Sequence, residues 1–151
     1  MSNGTTVKKR NGRGTEPLDL EKMHKMVEEA CKGVAGVSAS QVEIQSGIQF
    51  YDGITTAEIQ EILIKSASDL IDLDNPNYQY VAARLLLFSL RKSLYGKIRE
   101  LPHLEGQIMS CTSYDVYDKE IFMKYSKEEI DKANSFIDHE RDFLFTYAGL
   151  R

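Results

Sequence analysis

The sequence predicts a mainly α-helical protein with one small β-hairpin near its N-terminus. Four stretches between residues 20 and 95 repeat apolar residues every three or four positions, the period of an amphipathic helix. Before them, Asn11 and Gly12 form the dipeptide typical of a tight hairpin turn, with short runs suited to strands on either side. With 151 residues, 42% of them hydrophobic, the chain is long enough to bury a core.

The hairpin is predicted from residues 7–10, which form one strand, and residues 15–18, which return. Gly12 and Gly14 allow a positive φ in the turn and leave backbone N–H groups to converge on an anion. Asp19 then stands where a helix N-cap is expected. The first helix is predicted to present an apolar face made of Leu20, Met23, Val27, Ala30, Cys31 and Val34.

Three further helices are predicted before residue 96. Ser38 or Ser40 is expected to cap a short second helix that carries Val42, Ile44 and Ile48. Thr55 and Glu58 have the spacing of a capping box for the third. Its expected apolar face is Ile59, Ile62, Leu63, Ser66, Leu70 and Leu73. The fourth, Tyr78 to Tyr95, contains a continuous apolar run and is expected to be surrounded by the others.

The pattern weakens beyond Gly96. Residues 97–116 have no sustained period and predict a connector. Asp118 is expected to cap a short helix, and Ser126 with Glu129 predicts a capping box for another. The aromatic stretch 143–151 suggests either a domain cut short or a segment that packs back. The expected organisation is therefore a disordered 1–6, a domain at 7–96, a connector at 97–116 and a helical segment at 117–151.

Catalytic and metal-binding motifs are not found in the sequence. His139 and Glu140 begin a metalloprotease-like pattern, but Phe143 stands where the second histidine is needed. His24 and His103 have no cysteine or carboxylate at ligand spacing along the chain, so we expect no metal site. Neither a phosphate loop nor a nucleophile elbow occurs.

The two cysteines and the overall charge indicate a cytoplasmic protein that does not bind nucleic acid. Cys31 and Cys111 lie 80 residues apart and are expected to be reduced thiols. The net charge of −4 argues against a nucleic-acid surface, which needs a basic face. Apolar stretches long enough for a signal peptide or a membrane span do not occur, so no membrane association is expected.

Anion binding is the better-supported activity. Lys9 and Arg10, the glycine turn and a helix start lie within sixteen residues. Such a group can hold a triphosphate, since the helix N-terminus adds partial positive charge to the cationic side chains. Exposed lysines are common on hairpins, so this spacing alone leaves nucleotide binding open.

Several ordered blocks resemble the ATP-cone domain, most closely the version that begins the large subunit of class I ribonucleoside-diphosphate reductases. They are residues 7–12 (VKKRNG), 18–24 (LDLEKMH), 50–56 (FYDGITT) and 77–85 (NYQYVAARL). Residues 125–129 and 137–148 are similar to the segment that follows the cone in that subunit. The resemblance implies that residues 7–96 form the cone, a β-hairpin capping a four-helix bundle, and that 117–151 begin the next, helical domain of the subunit.

The resemblance also implies a ligand and its site. The cone binds ATP as an activator, often dATP as an inhibitor, with Mg²⁺, and holds no prosthetic group. Lys9, Arg10 and Lys92 would contact phosphate, and Lys22 could reach it from the first helical turn. A cluster of Lys9, Lys22 and Lys92 would favour an anion, because unpaired like charges repel. The full implied set is Val7, Lys9, Arg10, Glu16, Pro17, Leu18, Asp19, Leu20, Glu21, Lys22, Met23, Phe50, Thr56, Gln60 and Lys92.

Further implications concern partners and chemistry. The remainder of the large subunit, a second copy of that subunit and the radical-generating small subunit would be partners. The cone would set the overall activity of deoxyribonucleotide synthesis, while the catalytic cysteines lie outside the matched region. Gln60 stands where some dATP-inhibited relatives have histidine, and the hairpin has one extra residue within 12–14. These departures put dATP inhibition in question more than ATP binding.

Two other functions remain open at this stage. A nucleotide-responsive regulator of transcription can carry the same cone, but it has a zinc ribbon, and no Cys-x-x-Cys pair precedes the cone here. A degenerate helical module that binds only protein is the other, with a nucleotide site lost through the longer hairpin and Asp19.

Overall fold

The computed structural model describes residues 5–9, 12 and 14–151, which divide into two compact units. The first contains the chain up to Leu90 together with Phe143–Arg151, and the second is Arg91–Asp142. The elements in chain order are β1 (Thr6–Lys8), β2 (Thr15–Pro17), α1 (Leu20–Cys31), α2 (Ala39–Gly47), β3 (Ile54–Thr55), α3 (Thr56–Asp69), α4 (Tyr78–Tyr95), α5 (Leu104–Ser113), α6 (Ile121–Lys124), α7 (Lys127–Ser135), a 3₁₀ helix (His139–Leu144) and α8 (Tyr147–Leu150).

The predicted hairpin is confirmed, and a third strand extends it. β1 pairs antiparallel with β2, with Val7 opposite Glu16. β3 then pairs parallel with the other edge of β1, with Val7 opposite Ile54, which gives the order β2-β1-β3. Because Thr6 lies in β1, the expected disorder of residues 1–6 is wrong for Thr6, and residues 1–4 lie outside the described part.

The first four helices confirm the mainly α fold and pack around an apolar core. Asp19 caps α1, and Thr55 with Glu58 forms the full capping box of α3, both as predicted. The fourth helix runs from Tyr78 to Tyr95 and is buried along much of its length. The core is formed by Val27, Ala30, Val42, Ile59, Leu63, Ala67, Val81, Ala82, Leu85 and Phe88.

Some residues expected on apolar faces are exposed instead. Ile44 and Ile48 of the second helical stretch are exposed, and so is Leu73. Leu73 follows the end of α3 at Asp69, so it never joins the face that the sequence period extended to it. Helix α2 has its N-cap at Ser38, although the Ser38 side chain makes no capping hydrogen bond.

The second unit contains a helix that the sequence pattern did not predict. Residues 97–116 were expected to be a connector, but Leu104–Ser113 is the helix α5. It packs against α7, and Ile108 and Ile130 are buried. The predicted capping box of Ser126 and Glu129 starts α7, and Asp118 accepts a hydrogen bond from the N–H of Glu120 shortly before α6.

The segment 143–151 packs back on the first unit. Phe143 meets the ring of Phe88 edge-on, with centroids 6.2 Å apart, and Arg84 lies over its ring at 5.2 Å. Arg84 also donates to the carbonyls of Ala30 and Lys32 at the end of α1. Packing back is therefore confirmed for Phe143, whereas Leu144 and Phe145 of the same stretch are exposed. Among the described residues, each helix is too short or too polar to cross a membrane.

Candidate nucleotide site

The strand β1 is the centre of the region in which the sequence places the nucleotide. Its middle residue, Val7, is buried, whereas Lys8 and Lys9 are exposed. The Lys9 N–H donates to the Gly14 carbonyl at 3.1 Å, and the Leu18 N–H donates to the Thr5 carbonyl at 2.9 Å. These bonds close the hairpin at both ends, so the backbone positions of Lys9 and Leu18 are fixed against each other.

The turn of the hairpin differs from the expected anion cradle in one respect. Gly12 has φ 66° and Gly14 has φ 101°, so both need the freedom of glycine as predicted. The Gly12 N–H, however, donates to the Lys9 carbonyl at 3.1 Å and is used inside the turn. The expectation that it is left for an anion is therefore wrong. Arg10 lies outside the described residues.

Two of the predicted cationic residues have carboxylate partners. Lys9 Nζ lies 2.8 Å from Oε2 of Glu16, which is diagonally across the hairpin because Glu16 pairs with Val7, and both side chains are nearly half exposed. Lys22 Nζ lies 3.3 Å from Asp19 Oδ2. The expected repulsion among the lysines is therefore reduced, because Lys9 and Lys22 each have a carboxylate neighbour. Lys92 lies in the last turn of α4, exposed and in the second unit.

The start of α1 holds the largest group of predicted contacts. Asp19 accepts the Lys22 N–H at 3.0 Å, and this hydrogen bond holds the pKa of the Asp19 carboxyl below its ordinary value. Leu20 is 60% exposed and Met23 is half-buried, which offers apolar surface at the helix start. Glu21 pairs with Lys25 at 2.7 Å. Glu16 and Leu18 are half-buried and Pro17 is exposed, all on the strand that leads into α1.

The start of α3 lies beside the other end of β1, because β3 runs parallel to β1 and opens directly into α3. Thr56 is the first residue of α3 and is partly exposed, and Phe50 is half-buried. The Glu58 carboxylate accepts from the Thr55 hydroxyl, the Thr55 N–H and the Tyr51 hydroxyl, which lowers the pKa of Glu58. Lys8 contributes to the same lowering through its positive charge.

Gln60 is the one predicted contact that is fully inside the helices. Its side chain is 5% exposed, and its Oε1 accepts a hydrogen bond from the Ser89 hydroxyl of α4 at 3.2 Å. Gln60 therefore links α3 to α4.

Sequence reasoning missed three residues around β1. Thr6 and Asp52 are bonded to each other, and Lys8 lies opposite Thr55 in the parallel pairing. A signal for Asp52 existed, since it stands in the turn-forming run just before the Thr55 cap. Lys8 was not in the residue set that the resemblance implied, although it lies between Val7 and Lys9 of that set.

Cys31 gives no sign of reactivity. Burial raises its pKa to about 11, so the thiol stays protonated at neutral pH.

Comparison with known proteins identifies the family. The profile of the ATP cone domain matches residues 5–93. The chain belongs to the ATP-cone family. It is also 44% identical over all 151 residues to ribonucleoside-diphosphate reductase 1 subunit alpha of Escherichia coli, and 45% identical over the same length to the subunit alpha of Buchnera aphidicola subsp. Schizaphis graminum.

The matches to reductase subunits extend beyond the cone but cover little of the relatives. The subunit alpha of Helicobacter pylori (strain 26695) is 42% identical over 97% of this chain and 18% of its own length. The chain spans about a fifth of the length of the Escherichia coli and Buchnera relatives, within their N-terminal region.

Proposed function

We propose that this ATP-cone chain is the allosteric segment of a ribonucleoside-diphosphate reductase large subunit, and that it regulates the enzyme by binding ATP over the sheet β2-β1-β3. The observation that carries the proposal is the match of the whole chain, including residues beyond the cone, to reductase subunits alpha.

The phosphates of ATP belong at the carboxyl end of β1. Lys8 ends this strand opposite Thr55, Lys9 follows it directly, and Thr56 begins α3 beside it. Lysines there supply the charge that a triphosphate needs, and the sequence resemblance adds Arg10 and Lys92. Because Lys9 is paired with Glu16 at 2.8 Å, phosphate must compete with that carboxylate for the lysine.

The base and ribose belong at the opposite end, where β2 enters α1. The Leu18–Thr5 hydrogen bond puts the start of α1 beside residue 5, four residues before Lys9. Four strand residues span about 13 Å, so Lys9 and Lys22 serve different parts of one nucleotide. We therefore move Lys22 from the phosphate to the base and ribose, together with Asp19. The exposed Leu20, half-buried Met23 and half-buried Phe50 provide apolar surface.

The choice between ATP and dATP depends on groups near the ribose. Gln60 is buried and hydrogen-bonded to Ser89, so its side chain is committed to the α3–α4 contact. We propose ATP as the effector, arriving with Mg²⁺ on its phosphates, and we expect dATP to bind without a strong inhibitory effect. The remainder of the large subunit, its second copy and the radical-generating small subunit are the proposed partners, in the cytoplasm.

Calorimetric titration of the chain with Mg-ATP tests the proposal. We expect saturable binding that is lost in the double variant Lys9→Ala with Lys92→Ala. The matched control is Lys65→Ala, which removes an exposed lysine that pairs with Asp69 within α3 and should leave ATP affinity unchanged. The absence of binding heat from both ATP and dATP at high protein concentration would favour the protein-only module instead.

A further inference from the structure

A cluster of potential metal ligands lies in the second unit, although the spacing of residues along the chain predicted no metal site, and none of its members belongs to the residue set assigned to the nucleotide. His103 is the N-cap of α5, and Glu105 lies in the first turn of that helix. Asp131 belongs to α7. The Asn134 side chain, one turn after Asp131, accepts the Leu104 N–H at 2.9 Å, so the backbone that carries the cluster is held together across the two helices.

The distances within the cluster suit one small cation. The ligand atoms of His103, Glu105 and Asp131 all lie within 4.8 Å of one another. His103 Nε2 is 3.6 Å from Asp131 Oδ1. Two ligands of a tetrahedral zinc ion are separated by about 3.4 Å, given metal–ligand bonds near 2.1 Å. The histidine and aspartate are therefore already near the required separation, and the partly exposed Glu105 side chain needs a rotation to join them.

The donor types and charges indicate the metal. Imidazole nitrogen favours Zn²⁺ and its neighbours over Mg²⁺ and Ca²⁺, which prefer oxygen alone. Two carboxylates neutralise the two positive charges of the ion. Lys127 Nζ lies 3.9 Å from Glu105 Oε2, and the exposed Lys127 side chain is long enough to turn away from a bound ion. We propose that His103, Glu105 and Asp131 bind Zn²⁺, with water completing the coordination, and so cross-link α5 to α7.

The contacts of His103 indicate that its Nε2, which faces Asp131, is the nitrogen that would bind zinc. His103 Nδ1 accepts the Glu105 N–H at 3.3 Å, which puts the ring proton of the neutral imidazole on Nε2. Zinc on Nε2 displaces that proton and requires Nδ1 to be protonated, so the Glu105 N–H loses its acceptor. Metal binding at Nε2 should therefore change the environment of the Glu105 amide.

The other histidines are poorer candidates. His24 is bracketed by two carboxylates, but Glu43 faces Nδ1 and Glu28 faces Nε2, and one ion cannot use both sides of the ring. His139 lies 3.8 Å from Asp142, whose carboxylate is bound to Arg91. His24→Gln is accordingly the matched control, since it removes an exposed histidine with carboxylate neighbours outside the proposed site.

Titration with zinc chloride alone, after removal of metal from the 151-residue chain with a chelator, tests the site. We expect one saturable site, weakened at least about tenfold in each of His103→Ala, Glu105→Gln and Asp131→Asn, and unchanged in His24→Gln. Cobalt(II) should give the visible absorption of a low-coordinate ion with nitrogen and oxygen ligands. The Glu105 amide resonance should shift on zinc addition.

The result is independent of the nucleotide proposal. Zinc affinity should be the same in Lys9→Ala as in the unchanged chain. A failure to bind ATP would therefore not contradict the zinc site, and a failure to bind zinc would not contradict the nucleotide site. No saturable zinc binding, or equal binding by the chain and its three ligand variants, would overturn the proposal. Circular dichroism of each variant separates loss of a ligand from loss of the fold. If His103→Ala unfolds, Glu105→Gln and Asp131→Asn still test the site, because both keep the size of the original side chain.

Discussion

The carboxylate of Asp52 accepts two hydrogen bonds from Thr6, one from the backbone N–H at 2.8 Å and one from the hydroxyl at 2.7 Å. The adjacent Gly53 N–H donates to the Thr6 carbonyl at 2.9 Å. Residues 46 positions apart are thereby joined at the beginning of the parallel β1–β3 pair. Asp52 thus holds the strand that carries Lys8 and Lys9 against the segment that starts α3.

We predict that Asp52→Ala loosens β1 and weakens ATP binding although Asp52 is not a proposed contact. The hydrogen bonds from Thr6 also lower the pKa of Asp52, so its stabilising effect is full above its ordinary value of 3.8 and is lost as pH falls through the lower folded value. Hydrogen exchange at the Thr6 and Gly53 amides should accelerate in the variant.

Asp52→Asn, which keeps one acceptor oxygen, is the milder comparison and should retain most of the amide protection. If Asp52→Ala binds ATP as tightly as the unchanged chain, the anchoring role is wrong, whatever happens to its stability.

The second prediction separates the two ends of the nucleotide. Lys9→Ala should weaken both ATP and inorganic triphosphate by roughly tenfold or more, the usual loss for a charged hydrogen bond. Lys22→Ala should weaken ATP while leaving the affinity for inorganic triphosphate unchanged, because Lys22 lies at the α1 end of the sheet. Competition titrations with the two ligands measure this directly. Equal loss of triphosphate affinity in both variants would return Lys22 to the phosphate.

Local signals in the sequence predicted most of the fold. The caps at Asp19, Thr55 and Ser126 are short-range patterns in which a side chain meets a backbone N–H three residues away, so they can be found without tertiary information. The hairpin likewise depends on a local turn. The two-residue strand β3 has no such signal, because its existence depends on a parallel pairing with β1 across 46 residues.

The unpredicted features share a dependence on distant partners. Helix α5 has Gly106 in its first turn and a histidine cap, both weak helix signals, and it is stabilised by Ile108 packing with α7. The Lys9–Glu16 pair depends on the register of the hairpin. The sequence did not determine this register, because the extra residue in the turn allows the pairing of the two strands to shift by one position. The residues of the candidate site came from the resemblance to a family. The proposal that phosphates lie at one end of β1 and the base at the other depends on the pairing of β1 with β2 and β3, which the sequence does not show.

The third prediction concerns the pH dependence of the α1–α2 contact. His24 Nδ1 lies 2.7 Å from Glu43 on α2, and this hydrogen bond, helped by Glu28 on α1, raises the pKa of His24 above 6.5. Because the pKa of His24 is higher in the folded than in the unfolded chain, protonated His24 stabilises the fold. This stabilisation is fully present below the unfolded pKa of 6.5 and is lost as pH rises through the higher pKa of the folded state.

The variant His24→Gln should therefore lower the melting temperature more at about pH 6 than at about pH 9, where the unchanged histidine is neutral. Titration of the His24 ring followed by NMR checks the direction, and Glu43→Gln should bring its pKa down. A His24 pKa at or below 6.5 in the unchanged chain would contradict the assignment.

The fourth prediction concerns a buried ion pair of the second unit. Arg91 is 9% exposed and donates to Asp142 Oδ2 at 2.7 Å, and to the carbonyls of Ile98 and His139 at 3.4 Å. Asp142→Asn removes the negative charge that faces the buried Arg91 guanidinium. We therefore expect the free energy of unfolding to fall by about 2–3 kcal/mol. This loss is smaller than for a fully buried pair because the Asp142 side chain is one-third exposed. Urea denaturation measures it. The exposed control Asp118→Asn should change stability by less than about 0.5 kcal/mol.

The last prediction concerns the ring of Phe143, which contacts two residues of α4. Phe88 meets it edge-on and Arg84 lies over it, while Arg84 also holds the end of α1. Phe143→Leu keeps the apolar volume but removes both ring interactions, so we expect a loss of about 1–2 kcal/mol in the free energy of unfolding. Phe145→Leu, at an exposed position of the same segment, should cost much less.

A double-mutant cycle with Arg84→Met isolates the part of this energy that passes through the cation–π contact. The two substitutions should be less than additive, because either one removes the same interaction between Arg84 and Phe143. Strict additivity would mean that the contact between Arg84 and Phe143 contributes nothing to stability. In that case the contact of Arg84 with the carbonyls of α1 would be energetically separate from the packing of residues 143–151.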